Sequence, residues 1–151
     1  MNIAQYTKAA SLEEAWELNQ KRSAVVLGGC CWLRLSPQQR IAQAIDLSAL
    51  GLDQIEEGED SFRLGAMVPL GQIEGHDGLA AFTQGAMKEA VRHIVGTQFR
   101  NMATVGGSIS GRFGFSDIWT LFLALDAQVE CTRAASSAWP ISVRPGRGKT
   151  S

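Results

Sequence analysis

Two glycine pairs are the residues in this sequence that most clearly suggest chemistry. Gly28 and Gly29 follow a short apolar run, whereas Gly106 and Gly107 lie inside a hydroxyl-rich run at residues 104–108. Paired glycines let a backbone approach another group closely, and such turns present rows of N–H groups. An anion is the natural occupant of such a concavity, and two of them suit a pyrophosphate. We therefore expect the two turns to bind one phosphate-containing ligand.

The two turns differ in how strongly they indicate a ligand. For Gly28 and Gly29 alone, a tight turn without a ligand is the simpler interpretation. Thr104 and Ser108 place hydroxyl groups on both sides of the second glycine pair, which a bare turn does not need. The second turn is therefore the stronger indication of binding.

Three polar residues near the second turn have two interpretations each. The carboxylate of Asp117 can accept hydrogen bonds from ribose hydroxyls, or Asp117 or Ser116 can cap the apolar helix that follows. Arg100 and Asn101 precede the turn and either brace it or touch a ligand; bracing is favoured.

No catalytic side chain and no metal site are predicted. The two histidines lie far in sequence from any cluster of cysteines or carboxylates, and no Ser-His-Asp or Cys-His constellation is indicated. The adjacent Cys30 and Cys31 pair only with strain, so two small side chains in a backbone-lined pocket are the plainer interpretation.

The composition excludes several classes of partner. The 151 residues are 45% hydrophobic and 19% charged, enough for one fair-sized core. Fourteen basic and 15 acidic residues give a net charge of -1, so no single-signed field attracts nucleic acid or a membrane surface. The sequence has no recognisable signal peptide and no apolar run of membrane-spanning length, and its three cysteines suit a reducing compartment. We expect a cytoplasmic location.

The first third of the chain predicts a β-α-β unit that positions the first turn. Strands are expected around residues 3–6, 24–27 and 41–47, with a helix over residues 12–20 that Ser11 caps.

The remainder predicts a second unit that positions the other turn. Residues 55–57 and 61–66 read as a hairpin, and Pro69 opens a short helix. A single helix is expected over residues 79–94, then a functional loop over residues 97–115. An apolar helix from about Ile118 and a strand at residues 128–131 complete the predicted elements.

The order and spacing of these segments resemble one known family. It is the FAD-binding subunit or domain of molybdopterin-dependent dehydrogenases such as xanthine dehydrogenase and carbon monoxide dehydrogenase. The resemblance covers roughly residues 1–131, and its most specific part is the Arg-Asn-x-x-Thr-x-Gly-Gly run with the downstream aspartate. The segments that carry it are residues 25–29, 45–47, 62–66 and 100–109, then Asp117 and residues 123–130.

The resemblance implies an α+β fold in which two small α/β subdomains form an FAD-binding cleft, the PCMH-type fold. The implied subdomains are residues 1–53 and 54–131. Residues 132–151 are expected to be an irregular tail in place of the family's C-terminal subdomain.

The resemblance also assigns site residues. The first turn and the Thr-x-Gly-Gly turn would cradle the FAD pyrophosphate, Asp117 would contact the adenosine part, and Ile94 would lie near the flavin. Cys30, Cys31 and Ser108 depart from the family pattern, so backbone contacts should persist there while side-chain hydrogen bonds change. The implied FAD-binding residues are Val25, Val26, Leu27, Gly28, Gly29, Cys30, Cys31, Trp32, Ile94, Thr104, Val105, Gly106, Gly107, Ser108 and Asp117.

The resemblance implies that the flavin transfers electrons out of a multi-subunit enzyme. A molybdopterin-binding subunit oxidises a substrate, a 2Fe-2S subunit relays electrons, and the flavin passes them to NAD or another acceptor. Two alternatives stay open: a non-catalytic scaffold or assembly protein, and a nucleotide-binding module without redox function. Apolar surface left by the absent subdomain predicts self-association or partner binding.

Overall fold

The computed structural model describes residues 2–21, 23–35, 40–131 and 138–143. The chain begins with a parallel three-stranded sheet made of β1 (Asn2–Lys8), β2 (Ala24–Leu27) and β3 (Arg40–Asp46) in the order β1-β3-β2. Helix α1 (Leu12–Asn19) connects β1 to β2, which confirms the predicted β-α-β unit. Parallel strands of one sheet need such a crossover connection.

The start of α1 is fixed by side-chain capping. The Ser11 Oγ accepts the Glu14 N–H at 3.1 Å, and the Glu14 carboxylate accepts the Ala10 N–H at 2.7 Å. These bonds satisfy donors that the first helical turn leaves free. The helix therefore begins where the sequence predicts.

The second sheet is antiparallel and includes two strands from the last quarter of the sequence. Its strands are β4 (Ile55–Glu57), β5 (Phe62–Leu64), β6 (Gln128–Cys131) and β7 (Ala138–Val143), in the order β4-β5-β7-β6. The prediction of an irregular tail is wrong for residues 138–143, because β7 pairs with β5 on one side and β6 on the other. This pairing joins residues distant in sequence, so no short-range sequence pattern predicts it. The other residues of 132–151 lie outside the described residues.

Six short helices lie between β5 and β6 of the second sheet. The single helix predicted over residues 79–94 is two helices, because the Thr83 hydroxyl donates to the Leu79 carbonyl at 2.7 Å and accepts the Met87 N–H at 3.1 Å. Gln84 and Gly85, with φ of 51° and 84°, then turn the chain. The helices are α2 (Leu70–Glu74), α3 (Asp77–Phe82), α4 (Ala86–Arg92), α5 (Thr97–Arg100), α6 (Val105–Ser110) and α7 (Asp117–Ala124).

The predicted functional loop over residues 97–115 is also partly helical, since it contains α5 and α6. Glycine lowers helix propensity, and the glycine pair at Gly106 and Gly107 therefore argues against a helix in sequence. Thr104 overrides this preference by capping α6.

Buried side chains form two hydrophobic clusters. The smaller contains Ala9, Ala15, Ile45 and Leu47, beneath the parallel sheet. The larger gathers residues from β5 and most helices: Phe62, Leu64, Val68, Leu70, Ile73, Leu79, Met87, Val91, Ala103, Val105, Ile109, Ile118, Leu121 and Phe122. The α+β class is confirmed, while the subdomain boundaries stay a prediction. Among the helices described, none is long and apolar enough to cross a membrane.

Candidate functional site

A cavity of about 510 Å³ lies where the two glycine turns meet. This volume is within the range of ligand pockets, roughly 300–1,000 Å³. Most of the predicted site residues line it: Val25, Val26, Gly28, Gly29, Cys30, Cys31, Trp32, Ile94, Thr104, Gly107, Ser108 and Asp117. Most of the predicted site residues therefore share one cavity.

Three predicted site residues do not line the cavity. Leu27 is half-buried at the end of β2, and Val105 and Gly106 are buried. The Val105 N–H donates to the Val68 carbonyl at 3.0 Å and the Gly106 N–H donates to the Ala66 carbonyl at 2.8 Å. The expectation of free N–H groups at these two residues is wrong, because an antiparallel bridge ties this segment to its neighbour.

The other N–H groups of the second turn also have acceptors. Gly107 donates to the Thr104 Oγ1 at 3.1 Å, and Ser108 donates to the Thr104 carbonyl at 2.9 Å. Both bonds belong to the capped start of α6. The amide N–H groups of the second turn therefore donate within the protein. This turn places hydroxyl groups, rather than a row of free amides, on the cavity wall.

The first turn has the opposite character. The N–H groups of Gly29, Cys30 and Trp32 have no hydrogen-bond acceptor among the described residues. Cys30 has a φ of 58°, in the left-handed region, and local alternation of this kind produces anion-binding concavities. These three amides belong to residues that line the cavity and are available to donate to an anion there.

The glycines of the first turn allow it to touch the second. A Cβ on Gly29 would overlap the Met102 carbonyl oxygen and stand 2.9 Å from the Ala103 Cα. A Cβ on Gly28 would stand 3.0 Å from the Thr104 Oγ1. The glycine pair is therefore required for close approach of two backbones.

The neighbouring thiols are not in a disulfide. The Sγ atoms of Cys30 and Cys31 lie 3.1 and 3.5 Å from the carbonyls of Gly28 and Gly29. Burial raises the pKa of the Cys30 thiol, and burial likewise raises the pKa of the Cys31 thiol against the opposing charge of Arg34. Both side chains fit the small, backbone-facing role predicted for them.

The two interpretations of Asp117 are separated by the structure. Ser116 caps α7, since its Oγ accepts the Trp119 N–H at 3.3 Å. Asp117 is the exposed first residue of the helix and lines the cavity, and its carboxylate has no hydrogen-bond partner among the described residues. That carboxylate is free to accept hydrogen bonds from a ligand hydroxyl.

Arg100 braces the cavity rather than lining it. Its buried guanidinium donates from Nε to the Glu74 carboxylate at 2.7 Å and from Nη1 to the Ile94 carbonyl at 3.1 Å. The Asn101 side chain lies over Gly71, where a Cβ would overlap its Oδ1. Bracing is thus the role the contacts give to both residues.

Aromatic residues of the wall were missed at the sequence level. The ring centroids of Trp32, Phe113 and Phe115 lie 5.1 Å (Trp32–Phe113), 5.8 Å (Trp32–Phe115) and 5.4 Å (Phe113–Phe115) apart. Trp32 is a predicted site residue, whereas the only sequence signal for the two phenylalanines is their place in the predicted functional loop. Leu70, Val95 and Phe99 add further apolar wall.

Comparison with known proteins gives the family. A family model described as the FAD binding domain in molybdopterin dehydrogenase matches residues 2–141. The chain belongs to this family. The match extends into β7, beyond the residues 1–131 expected from motifs alone. FAD is the cofactor of this family of domains, as predicted.

Two relatives support the assignment to the molybdopterin dehydrogenase FAD-binding family. YgfM of Escherichia coli (strain K12) is 32% identical over 130 residues, covering 84% of this chain and 49% of the relative. The nicotine 6-hydroxylase medium subunit of Paenarthrobacter nicotinovorans is 34% identical over 131 residues, covering 83% of this chain and 46% of the relative. The chain thus spans about half the length of these relatives.

Solved structures confirm the PCMH-type fold of this FAD-binding family. A carbon monoxide dehydrogenase from Hydrogenophaga pseudoflava superposes with a TM-score of 0.83 at 21% identity, over 93% of this chain and 58% of that chain. Quinoline 2-oxidoreductase from Pseudomonas putida 86 gives 0.80 at 18% identity, with the same coverage. Within the described residues, no group of three or more His, Cys, Asp or Glu side chains is placed to hold a metal ion.

Proposed function

We propose that this chain binds FAD in the cavity between its two glycine turns, as the flavin component of a molybdenum hydroxylase-type oxidoreductase. The observation that carries the proposal is that amide donors and a carboxylate, neither with a hydrogen-bond partner among the described residues, line the same cavity. Donors suit a pyrophosphate and the carboxylate suits ribose hydroxyls, and both groups occur in FAD. The family membership points to the same ligand.

The pyrophosphate is assigned to the first turn. The N–H groups of Gly29, Cys30 and Trp32 would donate to its oxygens, and backbone amides provide this without a charged side chain. The Thr104 hydroxyl would add a donor from the second turn, whereas the Ser108 hydroxyl already donates to the Thr104 carbonyl at 2.9 Å. The Cys30 and Cys31 thiols lie near their own turn carbonyls, so they leave the amides accessible.

Asp117 is assigned to a ribose. Its position at the start of α7 keeps the carboxylate at the cavity wall, while Ser116 takes the capping role. The Arg100 guanidinium would maintain the opposite wall by holding the Ile94 carbonyl, so that Ile94 keeps its apolar side chain in place beside the ligand.

The bound flavin would supply the redox chemistry, and the protein would position it. We further propose partner subunits that hold molybdopterin and a 2Fe-2S cluster, with electrons leaving to NAD or another acceptor. The relative named as a medium subunit of nicotine 6-hydroxylase supports a multi-subunit context.

Titration of the purified chain with FAD tests the binding proposal. We expect one FAD per chain, a flavin absorbance band that stays with the protein through gel filtration, and a higher melting temperature with FAD. A chain that takes up no added FAD would contradict the proposal. Binding of adenine nucleotides without FAD would favour a nucleotide-binding module instead.

A matched pair of carboxylate variants tests the site within that titration. Asp117→Asn removes the charge without changing the shape, and we expect FAD affinity to fall about tenfold, as for loss of a charged hydrogen bond. Asp60→Asn, in the exposed turn between β4 and β5, should leave the affinity unchanged. Equal affinities for both variants would remove Asp117 from the site.

A further inference from the structure

Strand β1 is the outermost strand of the parallel sheet, and its outer edge has no partner strand among the residues that the structure describes. Its pairing with β3 keeps one register from Asn2 to Lys8. An edge strand presents a row of backbone N–H and C=O groups, to which another strand can bind. The outer edge of β1 is therefore a candidate interaction surface.

The backbone groups on this edge can be assigned from one hydrogen bond. The Ala9 N–H, one residue past β1, donates to the Asp46 carbonyl of β3 at 2.9 Å. Because the backbone groups of successive residues point to alternate sides of a strand, odd-numbered residues face β3 and even-numbered residues face outward. The outward-facing N–H and C=O groups belong to Asn2, Ala4, Tyr6 and Lys8.

The other edges of the two described sheets have features that discourage a further strand. β2 has four residues and ends at the first glycine turn, and β4 has three residues, of which two are Glu56 and Glu57. β6 has four residues and an irregular register between Val129 and Cys131. Short strands, charges and bulges are the usual means by which an edge is protected. In contrast, β1 has seven residues, no proline and one charged side chain, Lys8.

The side chains of β1 leave this edge accessible. Helix α1 packs on β2 and β3, and the Ile3 and Tyr6 side chains of β1 are 44% and 57% exposed. The Tyr6 hydroxyl donates to the Asp46 carboxylate, which directs the Tyr6 ring over β3 and away from the outer edge. A second strand could therefore reach the backbone of β1 without moving this ring.

We propose that two copies of this chain pair through β1 in antiparallel orientation, which joins two three-stranded sheets into one six-stranded sheet. A two-fold axis at Gln5 brings all seven residues of each copy into register. Tyr6 then lies opposite the small Ala4 of the partner copy, and the two Gln5 side chains face each other. The Ala4 N–H of each copy donates to the Tyr6 carbonyl of the other.

Charge selects the antiparallel orientation. Lys8 is the one charged side chain of β1. Parallel pairing would place the two Lys8 side chains next to each other, and like charges destabilise a cross-strand pair. Antiparallel pairing separates them by six residues of strand, about 20 Å, which exceeds the screening length at physiological salt.

The proposed dimer does not depend on FAD binding. β1 and β2 lie at opposite edges of the parallel sheet, and β2 is the strand that leads into the first glycine turn. The pairing would therefore leave the cavity accessible. Because it covers one strand of each copy, the interface belongs among the small, transient ones.

Sedimentation velocity over a concentration series tests the pairing. We expect the unaltered chain to show a dimer fraction that rises with concentration. Ala4→Pro removes an outward-facing N–H, a change that an edge strand tolerates, and each dimer loses two hydrogen bonds. The dissociation constant should rise about tenfold or more. Ala4→Ser keeps the N–H and is the matched control, with an unchanged dissociation constant.

Charges at Gln5 test the register without a proline. Gln5→Lys alone should weaken dimerisation, because two like charges would meet across the axis. An equimolar mixture of Gln5→Lys and Gln5→Glu chains should form mixed dimers in preference to either homodimer. Gln72→Lys, on the exposed surface of α2, should leave dimerisation unchanged.

Several results would overturn the proposal. One is a chain that stays monomeric over the whole concentration series, and another is a folded Ala4→Pro variant that dimerises as tightly as the unaltered chain. Gln5 variants without a preference for mixed dimers would refute the register. Protection of the Ala4 and Tyr6 amides from solvent exchange in the dilute monomer would show that another segment covers the edge. None of these results alters the FAD titration, so the two proposals fail separately.

Discussion

The two glycine turns have similar sequences and opposite hydrogen-bond states. In the first turn the amides of Gly29, Cys30 and Trp32 have no acceptor among the described residues. In the second turn the amides from Val105 to Ser108 all donate within the protein. A glycine pair therefore does not by itself indicate an anion site. An anion site also requires backbone N–H groups that have no acceptor within the protein.

The difference reverses the ranking made from sequence. The hydroxyl groups around the second turn favoured it as the binding turn, but the Thr104 hydroxyl serves as the cap of α6. The first turn, interpreted as a tight turn, has the free donors. The two turns are in close contact, because Gly28 and Gly29 have no Cβ that would collide with the second turn.

The largest effect is expected for Gly29→Ala, which separates the two turns. The added methyl group overlaps the Met102 carbonyl oxygen, and relief requires a backbone shift. We expect the free energy of unfolding to fall by about 2–3 kcal/mol, as in overpacked sites. Urea denaturation measures this, with Gly114→Ala as control because a Cβ there meets nothing within 4 Å. Equal stability of the two variants would refute the contact between the turns.

A smaller effect is expected for Thr104→Val, which removes the cap of the second turn. The Gly107 N–H loses its acceptor, so stability should fall by about 1 kcal/mol, typical of a lost helix cap. Thr120→Val, whose exposed hydroxyl donates to the Ser116 carbonyl at 3.3 Å, is the matched control and should cost less. A stability loss no greater than that of the control would show that the cap does not hold the second turn.

The smallest effect concerns the thiols of the first turn. Because burial raises the pKa of Cys30 and Cys31, less thiolate is present at pH 8, and iodoacetamide should alkylate them more slowly than free cysteine. The rate should increase as the pH rises above the ordinary thiol range, and FAD should slow it further. Mass spectrometry of the labelled peptides measures each site. Alkylation as fast as that of free cysteine, unaffected by FAD, would contradict the raised pKa values of these thiols and their place in the cavity wall.

Local patterns in the sequence predicted the elements that depend on local causes. Ser11 and Glu14 predict the start of α1, and the apolar run before Gly28 predicts β2. Contacts between residues distant in sequence could not be predicted. Strand β7 forms by pairing with β5 and β6, and the N–H groups of Val105 and Gly106 donate to the carbonyls of Val68 and Ala66.

Short residue patterns predict part of the residues that line the cavity. Motif resemblance points to both turns and to Asp117, and the structure brings these residues to one cavity. Phe113 and Phe115 could not be selected, because nothing in the sequence shows that they meet Trp32. The break after Thr83 was missed because its hydroxyl replaces regular helical bonding, an effect that apolar spacing does not reveal.

Amide NMR during titration with ADP tests the contrast between the turns most directly. The account predicts that the N–H resonances of Gly29, Cys30 and Trp32 shift and become protected from solvent exchange only when ADP binds. The N–H groups of Val105 and Gly106 should be protected already in the free protein and change little. Protection that appears at Val105 and Gly106 on binding, with no change at Gly29, Cys30 and Trp32, would contradict the account.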